Sequence, residues 1–189
     1  MYKHVACVCV FLFIFDDMVL KKFEQIKMLF LDVDGVLTDG RVMVTEQGEQ
    51  LRAFSIKDGY AMQLAIKAGL EIIVISGGRS QGVKHRLRGL GLTNIYLGVG
   101  DKFQLMKEIL QERSFRLEQV AFMGDDIPDL QCMQYVGLAL CPQDAVEDIK
   151  RVAAYVSPFP GGGGCVRDVI EKMLRLQDLW SNGLGIKSI

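Results

Sequence analysis

The sequence predicts an α/β fold built on a central parallel sheet with helices on both faces. Three observations point there. From Lys27 onward, strand-like and helix-like segments alternate, the pattern of parallel strands joined by helical crossovers. The first core segment, Met28-Leu29-Phe30-Leu31, is an unbroken apolar run, as expected of a strand covered on both faces. Four predicted strands also end in polar residues, and in open parallel sheets such strand ends gather at one edge.

In chain order, the predicted strands are Met28–Val33, Glu71–Ser76, Ile95–Gly98, Gln119–Met123, Gly137–Leu140 and Ala153–Val156. Amphipathic stretches at Gly59–Ala68, Ser80–Leu90 and Lys102–Arg113 lie between them; Leu105, Met106, Ile109 and Leu110 recur at helical spacing and so face the core. Residues 41–56 break the alternation. They read as two short strands around Glu46-Gln47-Gly48-Glu49, a hairpin with glycine in its turn. Because it leaves directly after the first strand, this hairpin can overhang whatever that strand carries. No internal repeat is present. The expected organisation is one compact domain over residues 25–178, with residues 1–24 outside the core and 179–189 as a tail.

Half of the 189 residues are hydrophobic, and the formal net charge is -1. That balance excludes the basic footprint of a nucleic-acid or acidic-membrane binder. The five cysteines, Cys7, Cys9, Cys132, Cys141 and Cys165, lack paired spacing; they read as free thiols in a reducing cytoplasm. Val5 to Phe15 is an apolar run of eleven residues, too short for a membrane-spanning helix. Asp16-Asp17 follows with no small-residue cleavage site, so the expectation is an extension outside the catalytic fold, ahead of a packing element or a targeting signal.

The chemistry lies at the strand ends. The first strand delivers Asp32 and Asp34, one residue apart, before turning at Gly35. Asp is depleted in strands, and two nearby carboxylates repel, so a divalent cation is the simplest compensation. The second strand ends in Ser76-Gly77-Gly78-Arg79, the third leads to Asp101-Lys102, and the fourth ends in Gly124-Asp125-Asp126-Ile127-Pro128-Asp129. Carboxylates with a hard cation, a lysine and a hydroxyl form a site for a phosphoryl group. Asp32 is the candidate nucleophile, able to form an acyl phosphate. Asp34 is the candidate acid and base, protonating the leaving alcohol and then deprotonating water. Asp125 completes the metal site, with Lys102 and Ser76 holding phosphoryl oxygens.

These four motifs, in this order, resemble those of the haloacid dehalogenase-like phosphatases. Asp32-Val-Asp-Gly-Val-Leu-Thr-Asp-Gly40, Phe54 to Tyr60, Gly124-Asp-Asp and Gly161-Gly-Gly-Gly-Cys-Val-Arg-Asp168 are similar to one subfamily, the 3-deoxy-D-manno-octulosonate 8-phosphate phosphatases. The likeness runs from about Lys27 to Leu174, with Lys57 where Arg often stands and Cys165 where Ala is usual. It implies a capless, Rossmann-like three-layer sandwich that uses Mg2+ to hydrolyse a sugar-acid phosphate in lipopolysaccharide biosynthesis. It also implies a homotetramer whose hairpins pair and whose subunits cover one another's sites. The short gaps from Asp34 to Ser76 and from Ser76 to Lys102 independently leave no room for a cap.

The resemblance gives Asp32, Asp34 and Asp125 as metal residues. Substrate contacts fall to Gly77 and Arg79, whose guanidinium suits a sugar carboxylate. Thr38 divides between hairpin support and substrate contact, and Arg167 between a sugar carboxylate and an interface acid. Asp126 and Asp129 are expected behind the ligands, one of them capping the helix entered at Pro128. The nearest alternatives are phosphatases of 2-keto-3-deoxynononate 9-phosphate or sialic-acid-type sugars; the Gly77-Gly78-Arg79-Ser80 loop resembles the octulosonate type. A receiver-like signalling domain also clusters acids, a hydroxyl and a lysine, but its accepting Asp ends a mid-chain strand and lacks a second acid two residues on. Gly161–Gly164 lacks the Gly-Lys-Ser/Thr of a nucleotide loop; it reads as a linker or as a close backbone approach.

Overall fold

The computed structural model describes residues 18–180. The apolar run and the first two cysteines lie outside them. Six strands form one parallel sheet: β1 (Met28–Leu31), β4 (Glu71–Ser76), β5 (Asn94–Leu97), β6 (Val120–Met123), β7 (Leu138–Cys141) and β8 (Tyr155–Val156). β2 (Met43–Val44) and β3 (Gln50–Leu51) pair antiparallel as a separate two-stranded hairpin. The six helices are α1 (Ile56–Lys67), α2 (Gln81–Gly89), α3 (Lys102–Gln111), α4 (Leu130–Tyr135), α5 (Glu147–Val152) and α6 (Cys165–Leu176). Residues 18–25 are also helical.

The strand order is β5-β4-β1-β6-β7-β8. β1 lies at the centre, with Leu31 in register with Val74 on one side and Met123 on the other. From β1 the chain first builds outward to β5, then crosses back to β6 and builds the other way. The carboxyl end of β1 is therefore the switch point where ligands bind in such sheets. The period-2 geometry of β1 divides its side chains: Leu29 and Leu31 enter the core under α1, α2 and α6, while Met28 and Phe30 enter the core under α3, α4 and α5. This is the three-layer arrangement that the apolar run implied.

Local chemistry sets the helix starts. Ser55, Ser80 and Asp101 are extended N-caps whose side chains accept from the backbone N–H of Asp58, Val83 and Gln104. The core begins earlier than residue 25, because Phe23 is fully buried and meets Tyr155 edge-on, with ring centroids 5.3 Å apart. At the other end Trp180 packs against the same core. The helix expected at Pro128 is the 3-10 turn running into α4, whereas α5 is absent from the sequence reading: it spans six residues, too few for a clear helical period.

The glycine-rich segment is a close approach. A Cβ on Gly161 would lie 2.0 Å from the Gly35 carbonyl oxygen, so only glycine lets that backbone reach the loop after β1. Gly162 N–H donates to the Val36 carbonyl at 2.9 Å, and the Cys165 thiol reaches the same oxygen at 3.3 Å. The loop after β1 is thus buttressed from behind by the start of α6.

Candidate active site

Asp32 follows β1 directly, and its backbone N–H donates to the Met123 carbonyl of β6 at 3.1 Å. Its carboxylate is buried at the switch point. The chain then reverses at Gly35, whose φ of +88° is in the left-handed region. Thr38 locks the turn, its fully buried hydroxyl donating to the Val33 carbonyl and accepting from the N–H groups of Gly35 and Gly40.

β6 delivers Asp125 beside it. A 3-10 turn at Ile127–Asp129 folds back so tightly that a Cβ on Gly124 would sit 2.4 Å from that of Asp129. Asp129 is buried there and accepts from the Asp125 N–H at 3.2 Å. Asp126 points outward and caps the same turn, accepting from the Ile127 N–H at 2.7 Å.

Lys102 opens α3, and its Nζ bridges two acids, 2.8 Å from Asp32 Oδ1 and 2.7 Å from Asp129 Oδ1. All three side chains are buried. Ser76, the last residue of β4, is buried as well, and its Oγ accepts from the Gly78 N–H at 3.1 Å. Asp32, Asp34, Lys102, Asp125 and Asp129 line a common cavity of about 260 Å³.

Crowding raises the acids. Burial, then the Asp129 charge, lifts Asp32 to about 6 despite Lys102. Burial, then the charges of Asp32, Asp129 and Asp126, lifts Asp125 to about 7. For Lys102, burial pulls downward, but Asp32 and Asp129 outweigh it and hold the ammonium above its usual range. One lysine does not balance three carboxylates. Oxygens of Asp32, Asp125 and Asp129 all lie within 4.8 Å of one another, a donor set of hard oxygens suited to Mg2+ or a similar cation.

The turn after Gly124 folds the Asp129 carboxylate inward, where Oδ1 meets Lys102 and Oδ2 accepts from the Asp125 N–H, beside the oxygens of Asp32 and Asp125. The Asp34 carboxylate is not among the three. Arg52 holds it, with Nε 2.6 Å from Oδ1 and Nη2 3.2 Å from Oδ2. Thr38 is enclosed in the turn, so its hydroxyl braces backbone and has no face for substrate. Arg79 lies against Gly98 at the β5 side and lines a cavity with Lys84 and Tyr96, apart from these acids.

Arg167 likewise stands away from the acids. Its N–H donates to Asp58 Oδ1 at 2.7 Å, its guanidinium pairs with Glu171 at 3.3 Å, and it lies over the rings of Tyr60 and Trp180. It lines a separate cavity of about 420 Å³ with Lys57, Lys172 and Arg175. Gly77 borders Lys102 in a groove between α3 and the Asp129 turn. Asp126 is the cap that its position before Pro128 suggested.

Arg52 escaped the sequence reading. Its only signal is a basic residue where a hairpin strand re-enters the domain. The side chain is 7% exposed, and Nη1 is buried with no hydrogen-bond partner among the described residues. Asp58 was also missed: buried in the first turn of α1, it anchors the backbone of α6.

Comparison with known proteins places these features. Residues 91–167 match the model of the haloacid dehalogenase-like hydrolase family. The chain is 36% identical over 170 residues to the 3-deoxy-D-manno-octulosonate 8-phosphate phosphatase of Yersinia pestis, covering 90% of this chain and 91% of that one. It superposes on a subfamily IIIA hydrolase of the same superfamily from Legionella pneumophila with a TM-score of 0.87 at 32% identity, covering 89% of this chain and 93% of that one. A third relative, the octulosonate 8-phosphate phosphatase of Moraxella catarrhalis, was solved with magnesium, phosphate and the sugar acid; it gives a TM-score of 0.83 at 30% identity, covering 86% and 93%.

Proposed function

The chain belongs to the 3-deoxy-D-manno-octulosonate 8-phosphate phosphatases of the haloacid dehalogenase-like hydrolases, and from that premise we propose that it hydrolyses this sugar-acid phosphate with Mg2+. It is a phosphoric monoester hydrolase. The observation that carries the reading is the buried Asp32–Lys102–Asp129 bridge beside Asp125 at the switch point of the sheet.

Asp32 attacks phosphorus, the bond to the sugar O8 breaks, and Asp34 gives that oxygen a proton as it leaves. The acyl phosphate on Asp32 is then hydrolysed by water that returns a proton to Asp34. Lys102 and the Ser76 hydroxyl hold phosphoryl oxygens as charge builds on them. Asp32, Asp34 and Asp125 would hold the magnesium, with Asp129 behind them on Lys102, and the ion would supply charge neutralisation between carboxylates and phosphoryl group.

The test is phosphate release, with and without magnesium, from octulosonate 8-phosphate and nononate 9-phosphate. The octulosonate ester should turn over faster and only with the metal. Equal, poor rates on both would remove the substrate assignment; no turnover of any sugar phosphate by folded protein would remove the enzyme reading.

The assembly we infer is a homotetramer joined through the hairpins, in the cytoplasm, serving lipopolysaccharide synthesis. Its support is the hairpin itself. Val42, Met43, Val44 and Leu51 are exposed, Met43 by 69%, and a two-stranded ribbon is marginal alone. A second copy would cover those side chains and close an uncapped site. The thiols of Cys132, Cys141 and Cys165 are free and buried, as suits a reducing compartment. Among the described residues, no helix is long and apolar enough to cross a membrane.

A further inference from the structure

Asp34 and Arg52 come from different elements. Asp34 belongs to the loop after β1, Arg52 to the returning arm of the hairpin just after β3. Resting on the acid and base role proposed for Asp34, we propose that Arg52 is a positioning residue that aims the Asp34 carboxylate at the leaving oxygen.

Two observations carry this. First, the contact is a fork, Nε to Oδ1 and Nη2 to Oδ2. Two parallel bonds fix the plane of a carboxylate, whereas a point charge would only attract it. These are the hydrogen bonds found on that carboxylate, which is itself a third exposed and otherwise free to turn. Second, the pair borders the phosphoryl-binding residues. A Cβ on Gly78 would lie 3.3 Å from Asp34 Oδ2, 3.4 Å from Ser76 Oγ and 3.7 Å from Arg52 Nη2. The orientation of Asp34 is therefore set at the edge of the reacting centre.

The hairpin thus carries a functional group into its own subunit's site as well as an apolar surface toward a neighbour.

The experiment exploits the leaving group. A sugar alkoxide needs a proton to depart, whereas p-nitrophenolate leaves without one, and kcat/KM reports only the steps up to acyl phosphate formation. Loss of an aimed general acid is worth up to about 100-fold or more. Arg52→Met should therefore lower kcat/KM for octulosonate 8-phosphate by about 30-fold or more, and for p-nitrophenyl phosphate by no more than about threefold. In an Asp34→Asn background, adding Arg52→Met should have no further effect on the alkyl ester.

Equal losses on both esters, or additive losses in the double variant, would overturn the proposal and leave Arg52 as a structural tie. Should Arg52→Met fail to fold, Arg52→Lys carries the same comparison: it keeps the charge, loses the fork, and should show a smaller loss with the same preference for the alkyl ester. Wild-type protein inert on both esters would instead overturn the phosphatase reading, and this inference with it.

Discussion

Gly35 and Asp125 meet without room for a single carbon between them: a Cβ on residue 35 would lie 1.9 Å from Asp125 Oδ2. The loop after β1 and the end of β6 are held in contact by that missing side chain. Gly35→Ala should thus move the Asp125 carboxylate away from its neighbours and strain a backbone at φ +88°, a conformation that costs an L-residue about 1–2 kcal/mol. The expected outcome is a lower melting temperature, and magnesium affinity and turnover each reduced by roughly tenfold or more. Unchanged metal affinity by calorimetry would separate the contact from the metal site.

Asp32 and Asp34 should fail differently. Asp32→Asn removes the nucleophile and should abolish the acid-stable phosphoenzyme trapped by rapid quench, with turnover down by about a thousandfold or more. Asp34→Asn should fold normally and barely turn over the sugar phosphate, while still labelling with an aryl phosphate. Wild-type-like turnover by Asp34→Asn would remove that residue as the acid and base.

Lys102 balances two buried acids at once. Breaking a buried pair by deleting one partner typically costs about 3–5 kcal/mol, so Lys102→Met should be strongly destabilised. The loss should be smaller at pH 5 than at pH 8, because protonation of Asp32, raised to about 6, relieves the uncompensated charge. Urea denaturation at both pH values reads the difference.

The raised acids also predict a pH-dependent metal effect. Asp32 and Asp125 are raised to about 6 and about 7 from ordinary carboxylate values near 3.8. Between those limits the folded protein binds more protons than the unfolded chain, so these groups favour folding at low pH and that contribution fades as pH rises through 6 to 7. Magnesium should offset the loss. Its thermal stabilisation should be large at pH 8 and small at pH 5.5, where protons occupy the same oxygens. Equal shifts at both pH values would place the ion elsewhere.

Met43 and Val44 lie on the exposed hairpin, 69% and 63% accessible. Replacing both with Asp should leave the domain folded and shift its mass in light scattering from oligomer to monomer. A variant that keeps the wild-type mass would show that the hairpin is not the joint.

The sequence alone determined the sheet class, the position of the acid-ended strand and the residue types brought to the edge. Those depend on local regularities: an apolar run before Asp32, helical spacing at Leu105 to Leu110, serines and an aspartate where helices begin. β4 was read to its bounds, and the other strands within one or two residues at either end, because β-branched and aromatic runs fix them locally. The short α5 left no such trace.

Tertiary structure decided which side chains face one another. The Asp129 carboxylate turns inward to Lys102 and that of Asp126 does not, a difference between two nearby acids that comes from the backbone turn at Gly124. Arg79 and Arg167, both suitable for an anion by type, lie apart from the acids, while Arg52, read only as part of a strand, reaches Asp34. Sequence spacing encodes periodicity along one element; it does not encode the angle at which a hairpin returns across a strand end. That angle is set by packing between distant segments, such as Gly161 against Gly35, and it turns a list of acids and bases into a site.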